Sequence, residues 1–225
     1  MKSQTGNKRR FLLLCGVIAP IMMTGIIIVL GQITPGYDPI RQMISQLGAP
    51  GREYAIVLNG GYAAYGLLMG AAAYGVSRSL NLSTAAGRLA AVLYVHALGT
   101  VLLGLIPDSP LSDFNLLRHV LHDAASVLAY VPILVSWLFV RSFAGGDPPL
   151  RATAIAGVFI AVINLPMPTL AYVDAIEPVR GLIQRSLFAA AFSWLSVVFV
   201  LLQRRNRPTT LGVRGVLHNN QTRLI

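Results

Sequence analysis

Residues 11–33 of the chain read FLLLCGVIAPIMMTGIIIVLGQI, a run without a single charged side chain. An α-helix rises about 1.5 Å per residue, so crossing a hydrocarbon core about 30 Å thick takes about 20 residues. This run is long enough to cross a membrane. Only 12% of the 225 residues are charged, against about 25% in an ordinary soluble domain. The sequence therefore predicts an integral membrane protein.

Five further apolar blocks follow the first one along the chain. The six predicted spans are residues 11–33, 54–76, 89–106, 116–140, 152–173 and 178–202. We predict an all-α fold, a polytopic membrane helix bundle with six transmembrane helices. A basic N-terminal segment covers residues 1–10, the six-span membrane domain covers residues 11–203, and a basic tail of disordered composition covers residues 204–225.

The basic residues indicate the orientation of the bundle. The chain has 18 Lys and Arg against 8 Asp and Glu, a formal net charge of +10. With six spans, 13 of these bases and one acid, Asp147, lie on the side of the two termini. The positive-inside rule then places both termini in the cytoplasm of a multi-pass protein of the cell membrane. Bases at helix ends suit anionic lipid headgroups, so membrane lipids are the expected partners and nucleic acid is not.

The first outer loop, residues 34–53, is long and has a helical pattern. Asp38 can cap a helix whose first residue is Pro39, and Gly48 can end it. The apolar residues at helical spacing are Ile40, Met43, Ile44 and Leu47. We predict a short amphipathic helix with Arg41, Gln42, Ser45 and Gln46 on its polar face. It either seals the loop or forms a lid in which Arg41, Ser45 and Gln46 contact a ligand.

A polar stripe enters the membrane along the fourth predicted span. Four side chains recur there at i, i+3, i+7 and i+11, namely His119, His122, Ser126 and Tyr130. This spacing puts them on one helical face, with Asp123 beside them. Ionisable groups inside a span are costly and usually face the bundle interior, so the stripe marks a candidate functional site, in which Ser126 is a candidate ligand contact.

His96 lies at a similar depth on the third predicted span, about 15 Å below its outer end by helix rise. Together with His119 and His122 it could hold a divalent metal such as zinc, with Asp123 or Asp38 as a catalytic base. Alternatively, His96 forms an interhelical hydrogen bond that fixes packing. A haem held between His96 and the fourth span is a further alternative.

Other polar residues are secondary candidates. Asn59 on the second span lies at a depth from which it could contact a ligand or another helix. Arg185 on the sixth span either pairs with Asp123 across the bundle or extends to water. In the loop before the fourth span, Asp108 and Asp113 either cap helices or complete the site from above.

Gly66 and Gly70 on the second span form a small-xxx-small pair. Such a pair lets two helices approach closely. The close approach serves packing within one bundle, or it serves a homo-oligomer or a membrane partner.

Two stretches carry a resemblance to a known family. They are Tyr37-Asp-Pro-Ile-Arg-Gln-Met-Ile-Ser-Gln-Leu-Gly-Ala, and Ile106-Pro-Asp followed by Arg118-His-Val-Leu-His-Asp-Ala. With the layout of residues 11–203, they resemble the six-span bacterial membrane proteins grouped as domain of unknown function 998. The matching positions are Asp38, Arg41, Ser45, Leu47, Gly48, Asp108, His119 and His122. Members often carry an acid at the position of Gln46. The resemblance implies a membrane protein of unestablished activity.

The sequence leaves three functions open. The favoured one is a bundle whose outward-facing His/Asp cluster binds a lipid-like ligand or a membrane partner. The alternative is an enzyme acting on a lipid or isoprenoid substrate, either a metal-dependent hydrolase or a cyclase with Asp123 as the acid. The third is a small-solute transporter. The sequence has no His-Glu-x-x-His, Gly-x-Ser-x-Gly or Walker motif, so enzymatic activity is left undecided.

Overall fold

The computed structural model describes residues 2–79, 84–109, 114–165 and 173–205. These residues form six α-helices: α1 (Lys2–Ile33), α2 (Ala55–Ser79), α3 (Thr84–Leu105), α4 (Leu116–Ala144), α5 (Pro148–Asn164) and α6 (Arg180–Arg205). Short 3-10 helices cover Ile44–Leu47 and Asp174–Val179, and the described residues contain no strand. The predicted all-α fold is confirmed.

Five helical segments are long and apolar enough to cross a membrane. They are Gly6–Ile33, Ala55–Arg78, Thr84–Leu105, Leu116–Ser142 and Asp174–Arg205. Large apolar side chains such as Ile56, Leu67 and Leu98 are exposed on the outside of the bundle, as expected where helices face lipid. These features indicate a multi-pass membrane protein.

The fifth predicted span differs from the others. Helix α5 is apolar but has 17 residues and ends at Asn164, whereas the predicted span continues to residue 173. Its last part, residues 166–172, lies outside the described residues, as do Asp113 and residues 206–225 of the tail. The count of six spans and the disorder of the tail stay predictions.

The six helices form a ring in chain order. Each helix packs on the next one, and α6 returns to pack on α1. In the first half of α1, Gly16 lies against the ring of Phe199 near the end of α6, whereas Ile40, beyond the end of α1, bonds Leu182 at the start of α6. The first and last helices are therefore antiparallel, and the two ends of the helical chain lie at the same end of the bundle. Lys2 and Arg205, the ends of the described helices α1 and α6, thus lie at the same end of the bundle, and the cytoplasmic location of both termini stays a prediction.

Glycines permit the closest contacts of the ring. A Cβ at Gly66 would meet the backbone of α3 at Ala97, and Gly70 faces the Cβ of the same residue at 3.9 Å. A Cβ at Gly99 of α3 would meet the backbone of α4 at Ala129. The close approach predicted for Gly66 and Gly70 is thus confirmed, and within the described chain it serves α2 and α3 of one bundle.

The first outer loop does not form the predicted helix from Asp38 to Gly48. The Asp38 carboxylate does cap a turn, since it accepts from the Ile40 N–H at 2.9 Å. Beyond this turn only the 3-10 helix Ile44–Leu47 forms.

Helix α6 explains the difference, because it bonds the loop backbone. The Ile40 carbonyl accepts from the Leu182 N–H at 2.9 Å, and the Ile44 N–H donates to Oε1 of Gln184 at 2.7 Å. Backbone groups that bond to α6 are not available for a continuous α-helical ladder.

Candidate ligand-binding cavity

A cavity of about 270 Å³ lies inside the helix ring. Side chains from α1, α2, α3, α4 and α6 line it, and Met43 and Ser45 of the first outer loop contribute to its wall. The polar stripe of α4 faces this cavity, because His119, His122 and Ser126 all line it. The helical spacing therefore identified the inward face of α4 correctly.

Two carboxylates flank His119 at the outer end of the cavity. The Nδ1 atom of His119 lies 2.9 Å from Oδ1 of Asp108, and its Nε2 atom lies 3.6 Å from Oδ2 of Asp123. Asp108 also accepts from the backbone N–H of Ser109 at 2.8 Å, which orients its carboxylate. We call Asp108, His119 and Asp123 the cavity mouth. Its imidazole can exchange a proton with Asp108 and can hold a polar group of a ligand.

His122 lies one helical turn deeper and is oriented by a backbone carbonyl. Its Nδ1 atom lies 2.8 Å from the carbonyl oxygen of Ile106. A carbonyl only accepts, so Nδ1 carries a proton, and in the neutral form of the ring Nε2 keeps a lone pair. The side chain is 5% exposed, and Nε2 has no hydrogen-bond partner among the residues that the structure describes. This nitrogen is an acceptor available to a ligand.

His96 has both ring nitrogens in interhelical hydrogen bonds. Nδ1 lies 2.5 Å from the Ala129 carbonyl oxygen of α4, and Nε2 lies 2.9 Å from the Tyr65 hydroxyl of α2. Since the carbonyl accepts the Nδ1 proton, the Tyr65 hydroxyl donates to Nε2 of the neutral ring. The side chain is 2% exposed. His96 therefore joins three helices, as the packing alternative predicted.

The two hydrogen bonds of His96 affect whether its ring can bind zinc or a haem iron. His96 has no lone pair to offer a metal while both nitrogens are hydrogen bonded. Within the described ranges, no group of three or more His, Cys, Asp or Glu side chains is placed to hold a metal ion. The structure gives no support to a zinc ion shared by His96, His119 and His122.

Aromatic rings form the floor of the cavity. Tyr65 of α2 contacts His96 edge-on at 5.4 Å and stacks on Phe192 of α6 at 5.3 Å between centroids. Phe192 contacts Phe188 at 5.4 Å, and Phe188 contacts Tyr130 of α4 at 5.9 Å. We call these five rings the aromatic floor. It offers an apolar surface to a hydrocarbon chain.

Several polar groups of the cavity lack protein partners. The Tyr62 side chain is 8% exposed, yet its hydroxyl forms no hydrogen bond within the described chain. Helical hydroxyls elsewhere bond back to a carbonyl, as Thr100 does to His96 at 2.7 Å. Ser126 forms no such bond to a described residue, and neither does Ser45 of the loop. These hydroxyls line the cavity and are therefore available to a polar ligand or to water.

The comparisons with known proteins give one match. The profile of a family described as "Protein of unknown function (DUF998)" matches residues 17–201. The match begins in α1 and ends in α6, so it covers the whole helix ring.

The chain belongs to the DUF998 family.

Comparisons with curated proteins and with solved structures give no match. The function of this DUF998 protein must therefore be argued from its own geometry.

Arg185 of the DUF998 protein does not pair with Asp123. Its guanidinium donates to the carbonyls of Pro39 and Gln42 at 2.8 and 2.9 Å, and to the hydroxyl of Tyr37. Burial raises the pKa of the Tyr37 phenol, although the adjacent guanidinium acts in the opposite direction. The phenol keeps its proton and directs it to loop carbonyls 3.0 Å away. Arg185 thus attaches the first outer loop to α6.

The predicted site residues divide into two groups. The cavity is lined by Asp123, His96, His119, His122, Ser45 and Ser126. The lining of the same cavity does not include Asp38, Arg41, Gln46, Asn59 or Arg185. Asn59 instead donates to the Gly48 carbonyl at 2.9 Å and anchors the end of the loop.

Sequence reasoning missed the aromatic floor. Phe188 and Phe192 are spaced i, i+4, which predicts a shared helical face. The pattern does not tell whether this face meets lipid or a cavity, because apolar residues surround α6 on all sides. For Asp108 the sequence allows a helix cap or a place in the site, and the structure places it in the cavity lining.

Proposed function

We propose that this DUF998 protein binds a single-chain, lipid-like amphiphile in its central cavity. The hydrocarbon chain lies against the aromatic floor, and the polar head lies at the cavity mouth. One observation carries the proposal: a single cavity combines an apolar aromatic floor with polar groups that lack protein partners. This combination is typical of small-molecule sites, which are mostly apolar with few polar groups that fix orientation.

The size of the cavity favours a ligand with one chain. Small-molecule sites usually measure about 300–1,000 Å³, and this cavity, at about 270 Å³, falls near the lower limit. A two-chain membrane lipid is too large to enter as a whole. A single alkyl or isoprenoid chain with a small head fits better.

The outer face of α4 supports entry from the membrane. Val127 and Val131 line the cavity, and they are also 50% and 42% exposed. In this proposal the ligand therefore enters beside these two valines, from the hydrocarbon region next to α4. In this proposal membrane lipids are the partners and source of ligand, the protein resides in the cell membrane, and its termini are cytoplasmic. A reporter fused after Ile225 that is active only outside the cell would refute that orientation.

A cavity-filling substitution tests the binding proposal. Ser126→Leu places a larger apolar side chain in the cavity without removing a protein hydrogen bond. We expect it to lower the binding of radiolabelled decanol at least tenfold, in nanodiscs made of phosphatidylcholine. The matched control is Ser142→Leu on the same helix, where the side chain is exposed and its hydroxyl bonds only to the Leu138 carbonyl of its own helix.

The comparison with Ser142→Leu separates specific binding from partition into the bilayer. Both variants carry the same added side chain, so they differ only in where it lies. Equal decanol binding by wild type, Ser126→Leu and Ser142→Leu would show that the bound probe is in the lipid, and would refute the proposal.

A further inference from the structure

We infer that the cavity mouth recognises an amine head group, so that the ligand is a single-chain lipid amine rather than a phosphate or a carboxylate. This inference rests on the proposed function, since it assumes that the cavity holds an amphiphile. It adds the chemical class of the head group and the residues that select it.

The first argument is the charge of the cavity lining. Asp108 and Asp123 both line the cavity, and no Lys or Arg among the described residues does so. An anionic head would lie against these two carboxyl groups, which would repel it, whereas an ammonium complements them.

The second argument is that polar groups of the cavity lining without protein partners can accept hydrogen bonds. Nε2 of His122 is an acceptor on a side chain more than nine-tenths buried, and the Tyr62 hydroxyl belongs to another such side chain. An ammonium offers three N–H donors and no acceptor, whereas an ionised phosphate or carboxylate oxygen only accepts. The donors of an amine therefore match the lone pair of His122, and an anionic head does not.

The third argument concerns Arg185, the cation that the sequence offers as a partner for Asp123. Arg185 directs its guanidinium at the carbonyls of Pro39, Gln42 and Gly181 and at the Tyr37 hydroxyl. These bonds hold the outer loop on α6, outside the cavity lining. Using Arg185 to bind a phosphate would break these bonds, so the loop attachment itself disfavours an anionic ligand.

Four probes with the same alkyl chain test the inference. They are decylamine, decanol, decanoate and decyl phosphate, and binding is measured in phosphatidylcholine nanodiscs, whose neutral headgroups limit adsorption of the charged probes. We expect decylamine to bind about tenfold more tightly than decanol, because a charge-assisted hydrogen bond exceeds a neutral one by roughly this factor. Decanoate and decyl phosphate should bind more weakly than decanol.

Neutralising the mouth should remove the preference for the amine. Asp123→Asn and, separately, Asp108→Asn should each weaken decylamine binding about tenfold while decanol binding changes less than twofold. The control is Asp147→Asn, outside the cavity lining, where Asp147 caps α5 by accepting from the Leu150 N–H at 3.3 Å. Asn is also a good N-cap, so this variant should bind all four probes like the wild type.

The outcomes distinguish the inference from the proposed function. If Ser126→Leu lowers decanol binding but decyl phosphate or decanoate binds as tightly as decylamine, the cavity holds an amphiphile and the inference is overturned. A preference for decylamine that survives both Asp108→Asn and Asp123→Asn also overturns it. If Ser126→Leu changes the binding of none of the four probes, the proposed function itself fails.

Discussion

His96 shows how one buried side chain connects three helices. Its ring bridges the Tyr65 hydroxyl of α2 and the Ala129 carbonyl of α4, while its own backbone belongs to α3. Removing the ring leaves a cavity and two polar groups without their partner. Removing only the Tyr65 hydroxyl leaves the packing intact.

We expect His96→Ala to destabilise the protein more than Tyr65→Phe. Interhelical hydrogen bonds in membranes contribute about 0.6 kcal/mol on average, so Tyr65→Phe should lower the free energy of unfolding by roughly that amount. His96→Ala adds the cost of a core cavity, about 2–5 kcal/mol for large-to-small changes. Unfolding by sodium dodecyl sulfate in mixed micelles, followed by tryptophan fluorescence, measures both. A His96→Ala protein as stable as the wild type would contradict the packing role.

For individual side chains, the sequence predicted some contacts and not others. The shared face of His119 and His122 follows from helical spacing alone, and both line the cavity. The 2.9 Å contact between Asp108 and His119 spans a loop, and its geometry is not encoded in a local pattern. Arg185 was expected to bond Asp123 or to reach water. Its actual partners are the Tyr37 hydroxyl and backbone carbonyls, and carbonyls are carried by every residue and marked by no sequence pattern.

Among the elements, α3 depends most on close backbone approach. Gly99 has the backbone of α4 where its Cβ would lie, at Ala129 and Leu128. Gly87 on the same helix has no atom within 4 Å of the corresponding position. The two glycines have the same helical conformation and differ in their surroundings.

We therefore expect alanine to have opposite effects at these two positions. Gly99→Ala forces α3 and α4 apart and should lower the free energy of unfolding by about 1–3 kcal/mol, the usual cost of overpacking. Gly87→Ala should raise it by up to about 1 kcal/mol, because alanine favours a helix over glycine. The same unfolding titration measures both variants. A Gly99→Ala protein no less stable than Gly87→Ala would show that the α3–α4 contact is looser than described.

The first outer loop shows where element prediction failed. The spacing of Ile40, Met43, Ile44 and Leu47 is helical, and Ile44 and Leu47 are indeed buried. Ile40, however, is 50% exposed, so the pattern identified two of the buried residues of the loop but not its backbone conformation. Bonds from distant Leu182 and Gln184 decided that conformation.

At the scale of the whole molecule, composition predicted the membrane class and the helical fold. The order of the helices in the ring could not be predicted in the same way. A spanning helix is apolar on the face that meets lipid and on the face that meets its neighbours, so hydrophobic periodicity does not separate the two. The cavity forms only when the ring of helices closes. In the sequence, only the polar stripe of α4 indicated which face of a helix would line it.

Photolabelling with a decylamine that carries a diazirine at the far end of its chain tests most directly whether an amphiphile occupies the cavity. The protein is irradiated in phosphatidylcholine nanodiscs and the labelled residues are mapped by mass spectrometry. We predict labelling of Tyr65, Phe188 and Phe192 on the aromatic floor, suppressed by excess unlabelled decylamine and lost in Ser126→Leu. Labelling confined to outward-facing residues such as Ile56 and Leu67, and unaffected by competitor, would contradict binding inside the ring.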